Sequence, residues 1–143
     1  GLESKKKILT QEKFSKTLAG KSTLNFIWPA KGNLSKKFGY YADGKQHNDG
    51  IDIIVKGNKD VKASSDGKVA FVGSKLRSFG NMILIKHDKV WVTAYAKVGK
   101  LLVSEGEIIK KGDVIASMGN SNNILHFQIR KSRNPINPLT LLN

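Results

Sequence analysis

The sequence predicts an all-β domain of the barrel or sandwich kind, on three observations. Short runs rich in Val, Ile, Phe and Tyr recur along the chain, separated by Gly, Asn, Asp and Ser. Such closely spaced runs with turn residues between them read as antiparallel strands, not as the strand–helix alternation of a parallel α/β sheet. Past about the first twenty residues no segment repeats its apolar positions with a helical period. A chain of 143 residues, 39% hydrophobic and 25% charged, is long enough for one domain with a true core and not comfortably for two.

Residues 1–22 differ from the rest. They are lysine-rich and polar, with Ile8, Leu9, Phe14 and Leu18 as scattered apolar positions, and read as a tether, helical or disordered in part. The domain is assigned to residues 23–143 and starts around Phe26-Ile27-Trp28-Pro29, where an apolar cluster meets a proline. Strands are expected at Gly50–Val55, Gly67–Val72, Asn81–His87, Val90–Ala96, Val114–Met118 and Ile124–Arg130. Trp28 and Trp91 are assigned to the core. Two segments, Val61–Gly73 and Val103–Gly119, share a form: a Val-rich strand, a Gly turn and a second apolar strand. That pairing is typical of barrel-sandwich hybrid folds. It is not a carrier signature, because no lysine with acidic neighbours sits at a hairpin tip.

Composition narrows the function. With no cysteine there is no disulfide framework, thiolate metal cluster or cysteine nucleophile, so a metal would need His and carboxylates. Only His47, His87 and His126 are available. No apolar run approaches a membrane span of roughly 18 to 20 residues, and no apolar signal region follows the basic start; neither fact fixes the compartment. The formal net charge of +14 favours polyanionic partners. That charge is lysine, with arginine only at 77, 130 and 133, and it lacks the clustered aromatics of nucleic-acid readers. Nucleic acid is therefore set aside as a partner.

Two stretches concentrate the chemistry. In QHNDGIDI an extended backbone points Asn48 and Asp52 to one face with Gly50 between them. In NNILHFQIR the same parity puts Ile124 and His126 together. A zinc site closes imidazole and carboxylate donors on the ion from two such strands. From Phe26 to Leu142 the chain resembles the LytM or lysostaphin-like zinc endopeptidase domain, and it is most similar to the NlpD-type murein hydrolase activators. The resemblance is carried in order by NDGIDI, VKASSDGKVAFVG, GNMILIKHD, TAYAKVGKLLV, KKGDVIASMG, LHFQIR and INPLTLL.

In active members of that family, the resemblance implies, the first motif is His-x-Gly-x-Asp and the last is His-x-His. Asn48, Asp52 and His126 then stand at the three ligand positions, and Ile124 and Lys97 at the two catalytic histidines. Only Asp52 and His126 keep the expected residue. An Asn amide is a poorer zinc ligand than imidazole, Ile124 can neither orient water nor stabilise charge, and a lysine cation repels a metal. His47 has the wrong strand parity to replace a ligand, and His87 reads as a structural or surface residue closing a strand. Asp52 and His126 are expected to hydrogen-bond one another.

The expected protein is therefore not an enzyme and has no cofactor; zinc belongs only to the alternative of an endopeptidase with a rearranged site. The resemblance implies a regulator that activates an N-acetylmuramoyl-L-alanine amidase during cell separation and binds it through the vacated groove. Asn48, Asp52, Lys97 and His126 are expected on the groove floor, with Tyr95 nearby, Tyr40 and Tyr41 as a wall, and Arg77 on a loop. Peptidoglycan is a further expected partner, and a basic wall-binding module is the remaining alternative. The family implies an envelope or periplasmic location, with room upstream for a lipid anchor as in an outer-membrane lipoprotein.

Overall fold

The computed structural model describes residues 24–143, and the tether assigned to 1–22 lies outside them. Among the described residues thirteen strands follow in order. They are β1 (Gly32–Lys36), β2 (Gly39–Tyr40), β3 (His47–Asn48), β4 (Ile51–Val55), β5 (Asp60–Lys62), β6 (Gly67–Gly73) and β7 (Asn81–Lys86). Then come β8 (Trp91–Val98), β9 (Lys100–Leu101), β10 (Ile108–Ile109), β11 (Val114–Ser117), β12 (Ile124–Lys131) and β13 (Asn134–Ile136). Among the described residues there is no α-helix, only 3-10 turns at Arg77–Phe79 and Pro138–Thr140.

The main sheet runs β1-β4-β12-β8-β7-β6-β10, with β13 paired to β12, and all its pairs are antiparallel. A smaller sheet is β5-β11-β9, and β2 pairs with β3. All six predicted strands are present, each within two residues of its expected ends. The sequence reading did not place β1, β2, β3, β5, β9, β10 and β13, most of which are only two or three residues long and too short to show alternation.

The two related segments pair with one another. β10 of the second lies on β6 of the first, and β11 lies on β5. Their Gly turns anchor this: Gly106 N–H donates to the Val69 carbonyl at 2.8 Å, and Gly112 N–H donates to that of Ala63 at 2.9 Å. One apolar core receives Val61, Ile115 and Ala116 from the smaller sheet and Ile51, Ile53, Ile83, Ile85, Tyr95, Leu125, Phe127 and Ile129 from the main one.

The tryptophans divide. Trp91 is in the core, but Trp28 is 38% exposed, because Phe26 takes the buried place two residues earlier. Phe26 packs on the His87 and Trp91 rings at 5.5 and 5.6 Å, and its carbonyl accepts from Asn143 N–H at 3.1 Å.

Candidate functional site: a depleted metal centre beside a groove

β12 organises the site, because it pairs with β4 on one side and β8 on the other. Its register sets His126 opposite Asp52 and opposite Ala96. Gly50, just before β4, permits the approach: a Cβ there would lie 2.1 Å from the Phe127 carbonyl oxygen. Asp52 Oδ1 and His126 Nδ1 are 2.6 Å apart, so the remnant ligands touch, as the sequence led us to expect. Burial raises the Asp52 pKa, but the hydrogen bond from His126, with the charges of Lys97 and Lys36, outweighs it. The carboxyl group is held below its ordinary value.

From this pair a relay of polar contacts runs along β12. Gln128 Nε2 donates to His126 Nε2 at 2.9 Å, and Arg130 Nε donates to Gln128 Oε1 at 2.8 Å. Arg130 Nη1 donates to the Arg133 carbonyl at 2.9 Å, and Nη2 reaches Asp49 Oδ2 at 3.3 Å. Asp49 Oδ1 in turn pairs with His47 Nδ1 at 2.7 Å.

The face of the sheet carrying this relay is the floor of a groove of about 740 Å³. Alternate residues build it: Met82, Leu84 and Lys86 of β7, Val92, Ala94 and Ala96 of β8, and His126, Gln128 and Arg130 of β12. One wall is the turn bearing Leu76 and Phe79, and the Phe79 ring stacks on His126 at 5.7 Å and 27°. Lys89 and Arg133 stand at the rim.

The expected site residues divide. His126 lies in the groove. Lys97 and Arg77 instead line an adjoining hollow of about 430 Å³ with Asn81, Ser121 and Asn122. Neither hollow is lined by Tyr40, Tyr41, Asn48 or Asp52. Asn48 is buried and donates its amide to the Lys37 carbonyl at 3.2 Å. Tyr40 is exposed beside the His47 ring, and Tyr41 lies under the Lys36 ammonium. Ile124 is half-buried at the start of β12.

Tyr95 is nowhere near the groove floor. It is fully buried on the opposite face of β8, where its hydroxyl accepts from Ser64 N–H at 2.9 Å. By strand parity Tyr95 and Lys97 belong on one side. A bulge between Asn81 and Met82, with Lys97 at φ 65, turns the lysine outwards. His47 packs edge-on to Phe38 and Tyr40, away from His126. His87 proves structural and not superficial, being fully buried. The sequence reading missed Gln128, Arg130, Phe79, Met82 and Leu84. The β-strand members were legible in principle, since Gln128 and Arg130 follow His126 at i+2 and i+4.

The donors do not fit a zinc ion. Asp52 and His126 are bonded to each other, Asn48 is committed to a carbonyl, and His126 has partners at both ring nitrogens. Among the described residues no cluster of three His, Cys, Asp or Glu could hold a metal.

An antiparallel sheet with a carboxylate and an imidazole on adjacent strands below an open groove defines a metallopeptidase-type β domain whose donor set is depleted. The chain belongs to Peptidase family M23, which residues 46–138 match. It is 39% identical over 128 residues to a Lipoprotein NlpD/LppB homolog of Pseudomonas aeruginosa, covering 87% of this chain and 42% of that protein. It is also 39% identical over 118 residues to the Murein hydrolase activator NlpD of Escherichia coli, covering 80% of this chain and 30% of the relative. The chain thus spans less than half the length of these relatives. The structure of Helicobacter pylori Csd3 superposes with a TM-score of 0.74 at 28% identity, over 83% of this chain and 35% of that one.

Proposed function

We propose that this domain is a non-catalytic regulator that stimulates a cell-wall amidase, one cutting between the muramoyl lactyl group and the stem peptide, during cell separation. The carrying observation is the groove: an apolar floor persists on the sheet face beside His126, where the donors for a hydrolytic metal are too few. A floor of Met82, Leu84, Val92 and Ala94 offers burial to an inserted helix or loop. Phe79 adds an aromatic wall, and the rim of Lys86, Lys89 and Arg133 carries no acidic residue, which matches an acidic flank on the partner.

The name of the Escherichia coli relative, a murein hydrolase activator, supports the same reading. The name of the Pseudomonas relative, a lipoprotein, supports placement in the envelope. Beyond the groove, Tyr40, Tyr41, Asn48 and Asp52 extend the proposed contact past His126, while Lys97 and Arg77 extend it through the adjoining hollow. Peptidoglycan is the second proposed ligand, drawn by the net charge of +14.

The test is a lysis assay on purified peptidoglycan with the chain alone, the amidase alone, and both, each with and without a chelator of the chain's metals. Lysis only in the mixture, at least about tenfold above the amidase alone and unaffected when the chain is chelator-treated and exchanged beforehand, is the expected result. Chelator-sensitive lysis by the chain alone would establish an endopeptidase instead. Binding to peptidoglycan without stimulation would establish a wall-binding module.

A further inference from the structure

We infer that Gln128 and Arg130 are positioning residues that hold His126 in the tautomer protonated on Nδ1, and thereby shut the Asp52–His126 pair against a divalent cation. The argument starts at Arg130, whose guanidinium is oriented by the Arg133 carbonyl at 2.9 Å and by Asp49 Oδ2 at 3.3 Å. A guanidinium only donates. Its Nε, 2.8 Å from the Gln128 side chain, therefore requires the amide oxygen to face it. That choice turns the amide nitrogen, also donor only, towards His126 Nε2 at 2.9 Å. Nε2 must then accept through its lone pair, which puts the proton of the neutral ring on Nδ1. Nδ1–H donates to Asp52 Oδ1 at 2.6 Å, so every partner in the relay is satisfied in one direction only.

This arrangement is the reverse of what a metal needs. A ligating imidazole binds the ion through one lone pair and donates the other ring N–H to a carboxylate, a carbonyl or water. Here the nitrogen facing Asp52 carries the proton, and the free lone pair is spent on Gln128. The block is separate from the absence of donors at Asn48, Lys97 and Ile124. Restoring a third ligand through Asn48→His therefore does not restore the site. Gln128→Glu changes the direction of the relay, because a carboxylate accepts from Arg130 Nε and from His126 Nε2–H at once. Nε2 then carries a proton and donates it, so that a cation displacing the Nδ1 proton from the Asp52 contact meets a lone pair there.

Two measurements test this without any amidase, so their outcome is separate from that of the activator reading. Long-range proton–nitrogen spectra of the labelled chain near neutral pH, with His126 assigned through His126→Gln, report the tautomer. The expected result is a proton on Nδ1 alone in the unaltered chain and a proton on Nε2 in Gln128→Glu. A proton on Nε2 in the unaltered chain, alone or together with one on Nδ1, overturns the inference. Calorimetric titration with zinc then compares Asn48→His with the double variant Asn48→His/Gln128→Glu. At least tenfold tighter zinc binding by the double variant is expected, and equal affinity overturns the inference. If a thermal melt finds the double variant unfolded, the tautomer of the single variant Gln128→Glu decides.

Discussion

His87 shows how a single buried residue carries the interior of this fold. Its Nδ1 meets the Asp66 carbonyl, which can only accept, so the ring proton is there and Nε2 accepts from the Thr93 hydroxyl at 2.8 Å. Thr93 Oγ1 also lies 2.7 Å from the Tyr95 hydroxyl, which satisfies Ser64 N–H, so one chain of contacts links β6, β7 and β8. Burial lowers the His87 pKa to about 4, against a smaller opposing effect of the Asp66 hydrogen bond. Above pH 6.5 the imidazole is neutral in both states and the fold keeps its full stability. Between 6.5 and about 4 the unfolded chain takes up a proton that the folded chain refuses, so stability falls as pH drops. The loss has a ceiling of roughly 3 kcal/mol. Urea unfolding at pH 7, 5.5 and 4.5 should show it, with His87→Gln losing most of the slope across that interval; an unchanged slope would assign the acid sensitivity elsewhere. The sequence marked His87 only as a strand end, because the Asp66 and Thr93 groups that hold it come from two other segments.

At the scale of elements, β12 is where fold and site coincide. It joins β4, β8 and β13, and its alternation sends Leu125, Phe127 and Ile129 into the core while His126, Gln128 and Arg130 face the groove. The approach of β4 to this strand depends on Gly50. A methyl there meets the Phe127 carbonyl at 2.1 Å and Gln128 Cγ at 2.8 Å, and the backbone oxygen cannot rotate away. Gly50→Ala is expected to cost about 3 kcal/mol through overpacking, read as a lower urea midpoint at unchanged slope; a shift of less than a third of that would mean the two strands separate freely. Alternation was readable in these strands, and it set His126 on the face opposite to its core-facing neighbours Leu125 and Phe127. The bulge at Lys97 was not readable, because nothing in TAYAKVG distinguishes a lysine in a regular strand from one at φ 65. That one extra residue is why Tyr95 and Lys97 part company.

For the whole molecule, the net charge of +14 acts over distances larger than any single contact. For the amidase partner we propose, the field of this charge would steer an acidic flank towards the basic rim of the groove, and salt shortens its reach from about 30 Å at 0.01 M to about 3 Å at 1 M. Association with the amidase should therefore slow at least about tenfold between roughly 0.05 and 0.5 M salt, with a smaller change in dissociation. Stopped-flow or surface-binding kinetics measure both rates. Lys86→Ala/Lys89→Ala should flatten the dependence, and a rate indifferent to salt would remove electrostatic steering from the account. Length and composition pointed to one charged domain, and the pattern of short strands and turns to the β class. The groove on the sheet face depended on how the strands pair.

Residue type and spacing alone established the strand-rich class, the M23 kinship and the poverty of metal donors, because alternation, turn residues and ligand chemistry are local properties of a chain. Pairing of strands distant in sequence decided the rest. It set His126 against Asp52, aimed Arg130 and Gln128 at the imidazole, buried Tyr95 and opened the apolar groove. Register and bulges are fixed by contacts between segments, and no single segment carries that information.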